Sequence, residues 1–128
     1  MTRILRAAIA TVLAALISAT AAAVAEIPVN NGLYDDGAHG VLISLKGQFL
    51  IHGFDMKCHG KTWVARALIG IHRDGTFSYR GTGRLAKGGH ITSTSTSMSV
   101  SGAFTSSRRV TGRASAGGCH ASYSAILI

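Results

Sequence analysis

Carboxylates are scarce in this sequence of 128 residues, where five Asp and Glu stand against thirteen Lys and Arg. Proline occurs once, cysteine twice, and aromatic residues make up 6% of the chain. So few acids give little material for the pair of facing carboxylates that glycoside hydrolysis needs. Neither Cys-X-X-Cys nor a pair of His at helical spacing is present, which excludes the usual zinc and dithiol motifs. Beyond residue 25 no apolar run is long enough to span a bilayer, and no segment combines helical periodicity with a cap. What remains, with sixteen glycines, describes one small domain and excludes a coiled coil, a disordered chain or a multidomain enzyme.

Arg3 and Arg6 precede an apolar run over residues 7–25 that ends in Ala23-Val24-Ala25. Basic start, apolar middle and small residues before a cut describe a secretory signal peptide over residues 1–25. Residues 26–128 are then expected as a single extracytoplasmic domain without a transmembrane segment. The two arginines leave with the leader, so this domain keeps eleven basic residues against all five acids.

Cys58 and Cys119 both fall in the exported part, where an oxidising compartment favours a disulfide. Each is followed by a histidine, His59 and His120. Two Cys and two His invite a zinc reading, but adjacent residues on a strand point to opposite faces. The disulfide is the expectation, with no metal and no cofactor.

Short alternating segments make up the domain. Residues 26–40 read as an opening loop with turn signals at Asn30-Asn31-Gly32 and Asp35-Asp36-Gly37. Val41, Ile43 and Leu45 share one side of a strand, and residues 48–54 run back as its partner. Residues 62–71 place Trp63, Ala65, Ala67, Ile69 and Ile71 at period two. Arg73-Asp74-Gly75 turns the chain into Thr76-Phe77-Ser78-Tyr79-Arg80, which alternates strictly. Residues 81–89 read as a loop. Residues 90–104 form a long strand whose Thr92, Thr94 and Thr96 share a parity with Met98, Val100 and Phe104. Residues 108–116 and 119–128 close the pattern. Together these predict an all-β fold, a small antiparallel β-barrel or β-sandwich of about seven or eight strands with one disulfide.

In order along the chain, Gly53-Phe54, Cys58, Asp74-Gly75-Thr76-Phe77-Ser78, Val100 to Phe104, Val110 to Gly112, Cys119 and Tyr123 to Ala125 resemble a loose group of small exported bacterial β-domains. The resemblance implies a β fold with one disulfide, and no activity.

Three motifs invite chemistry and fail on context. Gly81-Thr82-Gly83-Arg84-Leu85-Ala86 matches a dinucleotide fingerprint, but Lys87-Gly88-Gly89 would end its helix within a turn. Ser115 lacks the preceding glycine of a nucleophile elbow, since Arg113 stands there. Asp35, Asp36 and His39 sit at no recognised metal spacing.

Charge is the strongest functional signal. Eight basic residues follow Lys61, and Asp74 is the one acid among them. Such a field attracts anionic polymers or an anionic cell-envelope surface. The candidate binding residues are Arg80, Arg84, Lys87, Arg108, Arg109 and Arg113. Specific nucleic-acid recognition is not expected, because Phe77 and Tyr79 are needed by the core. The reading is a secreted, non-catalytic binding module with a basic face. The alternative is a small-ligand carrier or minor hydrolase inside a barrel, which would need a cavity at His52, Arg66 and Thr94. An interior filled by Ile43, Ile69, Phe77, Val100 and Phe104 would oppose it.

Overall fold

The computed structural model describes residues 27–128, and the signal peptide expected over residues 1–25 lies outside them. Eight antiparallel strands follow one another around a single closed ring: β1 (Leu33–Asp35), β2 (Leu42–Leu45), β3 (Leu50–Cys58), β4 (Lys61–Gly70), β5 (Thr76–Lys87), β6 (His90–Ser106), β7 (Arg109–Ala116) and β8 (Cys119–Leu127). The fold is therefore the barrel, with β8 returning to β1 through Tyr34↔Leu127 and Asp35↔Ile126. Every connection is an up-and-down hairpin, so turns alternate between two ends of the ring.

Period-two alternation decides which side chains turn inward. On β7, Val110, Ala114 and Ala116 are buried while Arg109 and Arg113 are exposed. On β6 the inward set is Met98, Val100 and Phe104. Ile43, Ile69, Phe77, Val100 and Phe104 all belong to the core. Rings meet across the lumen, Tyr34 of β1 against Phe104 of β6 at 5.3 Å between centroids, and Phe104 against Phe77 of β5 at 5.8 Å. Nearer the other end Phe54 of β3 reaches Tyr79 of β5 at 6.1 Å. Rings in contact inside the ring of strands occupy the space that a carried ligand would need.

Each end is tied shut. At one, the disulfide Cys58–Cys119 joins the end of β3 to the start of β8. At the other, the buried Tyr34 hydroxyl accepts a hydrogen bond from the Val29 N–H at 3.1 Å and donates to the Ser107 carbonyl, which pins the incoming chain under the barrel.

Two expectations are corrected. The opening loop contains a strand, β1, too short to announce itself between two turn signals. Residues 81–89 are not a loop, because β5 runs on to Lys87. Glycine is used there for space: a Cβ on Gly83 would sit 1.7 Å from the Met98 sulfur, which lies over the strand. The threonine row on β6 is broken by a bulge, since Ala86 pairs with Ile91 and Arg84 with Ser95. Thr92 turns its hydroxyl to the Leu85 carbonyl at 2.9 Å and accepts from the Thr94 N–H at 3.3 Å.

Asp36 completes the short β1–β8 seam. Its carboxylate accepts from the backbone of Ala38 and His39 and from the His39 ring, and reaches across the seam to the Ser124 N–H at 2.8 Å. Burial alone would raise this carboxyl. The N–H groups of His39 and Ser124, the His39 charge and the N–H of Ala38 outweigh it and hold Asp36 below its ordinary value of 3.8. A depressed carboxyl stabilises the fold fully above 3.8 and loses that contribution as pH falls through its lower folded value. Asp36→Ala is therefore expected to lower stability at neutral pH by about 2 kcal/mol. The deficit should shrink towards zero in strong acid. Urea melts at both pH values check this, and an equal deficit in acid would show that the charge is not what matters.

Candidate functional site

The outer wall of β5 to β8 is built from the parity opposite to the core. Register places Ser78, Ser101, Arg113 and Ser122 in one row across the four strands, through the pairs Ser78↔Ser101, Ser101↔Arg113 and Arg113↔Ser122. The next row is Arg80, Ser99, Ser115 and His120, through Arg80↔Ser99, Ser99↔Ser115 and Ser115↔His120. These two rows line a trough of about 580 Å³. Its floor is low because serine is small, and Ser99 and Ser115 hydrogen-bond hydroxyl to hydroxyl at 2.6 Å. Arg80, Arg113 and His120 are exposed around it, and the lining contains no carboxylate.

Of the six arginines and lysines expected to bind, the structure brings two together here, Arg80 and Arg113. Arg84 lies farther along the same face of β5, in a separate groove with Val64, Arg66, Thr82 and Ile91. Lys87 ends β5 beside the hairpin turn. Arg108 and Arg109 belong to the opposite end of the barrel, at the β6–β7 turn, where Arg109 Nη1 donates to the Ser124 hydroxyl at 2.9 Å. The six therefore do not form one patch.

The hydroxyls and His120 were not anticipated from sequence, although a signal was there. Ser95, Ser97, Ser99 and Ser101 repeat at period two on β6, and so do His120, Ser122 and Ser124 on β8. Attention to the threonine parity of β6 passes over the serine parity.

Other candidates settle differently. Cys58, His59 and Cys119 lie close together, but both sulfurs are joined in the disulfide and offer no thiolate to a metal. The fingerprint at Gly81 to Ala86 lies within a strand, so no helix N-terminus faces a pyrophosphate there. Asp36 and His39 are spent on each other and on the turn. Asp74 accepts from the Thr76 hydroxyl at 2.6 Å and the Thr76 N–H at 3.0 Å, a turn role that holds its carboxyl low.

His52 and Arg66 are exposed on the outside, where they line a groove with Asp55 and His90, and Thr94 is exposed as well. Burial raises the Asp55 carboxyl, and the Arg66 charge opposes that shift. The core holds no charged side chain among the described residues. No helix of the described residues is long and apolar enough to cross a membrane. A wall bearing Arg80, Arg84, Arg113 and serines also differs from the apolar outer band of a membrane-spanning barrel. Set beside family models, curated proteins and solved structures, the chain matches none of them.

Proposed function

We propose that the protein is an extracytoplasmic, non-catalytic binding module whose β5–β8 wall holds anionic groups of a polymer or of the cell envelope. The observation that carries this reading is the trough itself, where two guanidinium groups, a histidine and five serines meet with no opposing acid. A guanidinium offers paired donors matched to phosphate, sulfate or carboxylate, and serine hydroxyls supply further donors beside it. The rings carried by β5 to β8, Phe77, Tyr79, Phe104 and Tyr123, turn toward the core, so this wall has no platform on which bases could stack. An anion borne on a polysaccharide or lipid headgroup fits better than a nucleic acid. The disulfide agrees with an oxidising compartment.

The test uses residues 26–128, which contain the whole ring and its bridge. On immobilised heparin or dextran sulfate, Arg80→Ala with Arg113→Ala is expected to weaken retention by roughly tenfold in affinity and to flatten its salt dependence. Arg108→Ala with Arg109→Ala removes the same charge from the other end and should cost much less. Equal losses for the two pairs would show diffuse charge and no site at the trough.

A further inference from the structure

Nine large apolar side chains are exposed among the described residues, and eight of them gather at one end of the barrel. This is the end that carries the 46–49, 71–75 and 107–108 turns and both ends of the described chain. On one side, Leu33 at the start of β1 adjoins Ile128, whose N–H donates to the Leu33 carbonyl, with Ile126, Ile27 and Val29 beside them. On the other side Phe49 and Leu50 begin β3, and Leu68 stands near the matching end of β4, through the pair Leu50↔Gly70. The two sides meet where Gly47 lies against Asn30. Phe49 is 49% exposed, Leu68 59% and Ile128 69%. Ile91 alone lies towards the other end.

Cations are set among these side chains. Lys46, Arg73, Arg108 and Arg109 are exposed at this end, with His72 and Asp74, and Asp35 sits half-buried opposite Ile126. An apolar collar with interspersed cations suits the interface of an anionic bilayer, where the apolar groups enter the headgroup region and the cations meet lipid phosphates.

We propose that this end of the barrel docks on an anionic lipid surface. A second copy of the chain is a poorer occupant, because a two-fold contact would set four cations against four, with Asp74 of each copy the one exposed carboxylate among the described residues to offset them. The surface is separate from the trough, so the barrel would stand on the lipid and keep its β5–β8 wall free.

Co-sedimentation of residues 26–128 with vesicles tests this. Binding to vesicles containing phosphatidylglycerol is expected to exceed binding to phosphatidylcholine vesicles by roughly tenfold or more at low salt. Phe49→Ser with Leu68→Ser should weaken it by roughly tenfold or more. Lys57→Ala with Lys61→Ala should leave it within about twofold, since those charges lie at the other end of the barrel, far from the docked end. Emission from Phe49→Trp should shift to the blue on adding anionic vesicles, against the unchanged background of buried Trp63. The proposal is overturned if neither vesicle binds, if the Phe49 and Leu68 variant binds as well as the parent, or if the Trp at position 49 does not respond. It is equally overturned if the parent is a dimer without lipid and that variant a monomer, which would make the end a self-association surface.

Discussion

Replacing Cys58 and Cys119 together by serine is expected to lower the free energy of unfolding by about 4 kcal/mol. The bridge closes a separation of 61 residues, and cross-linking a loop of that length removes much of the freedom of the unfolded chain. Its place in the ring adds a second reason. By the shorter way round the ring the ladder from β8 reaches β3 through β1 and β2, and β1 has three residues. The bridge spans that weakest arc directly. Small domains hold about 5–15 kcal/mol in all, so a loss of this size brings the fold near its limit. Urea unfolding of the serine variant against the oxidised parent measures it, with amide exchange expected to rise first in β1 and β8. A loss under about 1 kcal/mol would mean that the ladder alone holds the arc.

Gly112→Ala should cost about 3 kcal/mol, the upper range for overpacking, from the addition of one methyl group. Gly112 pairs with Gly102 across β6 and β7. A Cβ on Gly112 would stand 1.9 Å from the Ser101 carbonyl oxygen and 2.6 Å from the Gly102 Cα, both backbone atoms held by the ladder. On Gly102 it would meet the Tyr123 hydroxyl at 2.5 Å and the Phe77 ring at 2.9 Å. The glycine pair thus lets two strands close up while Tyr123 crosses the gap and donates to the Ser101 carbonyl at 3.0 Å. Gly47→Ala is the control, since the nearest atom to its Cβ is Asn30 Oδ1 at 3.8 Å. It should stay within about 0.5 kcal/mol. Similar thermal melts for the two variants would refute the close approach.

Trp63, Ala65, Ile69, Phe77 and Val100 were placed in the core by alternation alone, and all five are buried. Asp74-Gly75 reads as a turn in the sequence and is one in the structure, with Gly75 at φ 83°. The two cysteines were paired on compartment and number, and they do pair. Gly81 and Gly83 misled, because a glycine that breaks a strand and a glycine that makes room for a neighbouring side chain look the same in one dimension. The short β1 was missed because three residues carry almost no period.

The candidate site divides along the same line. Arg80 and Arg113 were among the residues singled out, but nothing local told them from Arg108 and Arg109. Thirty-three positions separate the first pair, and only the order β5, β6, β7 together with the register Ser78↔Ser101 and Ser101↔Arg113 brings them to one trough. Likewise Leu33, Phe49, Leu68 and Ile128 meet at one end because hairpin connections return the chain there after every second strand.

By itself the sequence determined the β class, the inward and outward face of most strands and the disulfide, because period two and a pair of cysteines are written in the local pattern. Tertiary structure alone decided closure into a ring, the filled lumen, the grouping of the basic residues and the apolar end. A strand's pattern tells which way a side chain points, but its height and its neighbours are set by pairing with distant strands, whose bulges and registers no single segment contains.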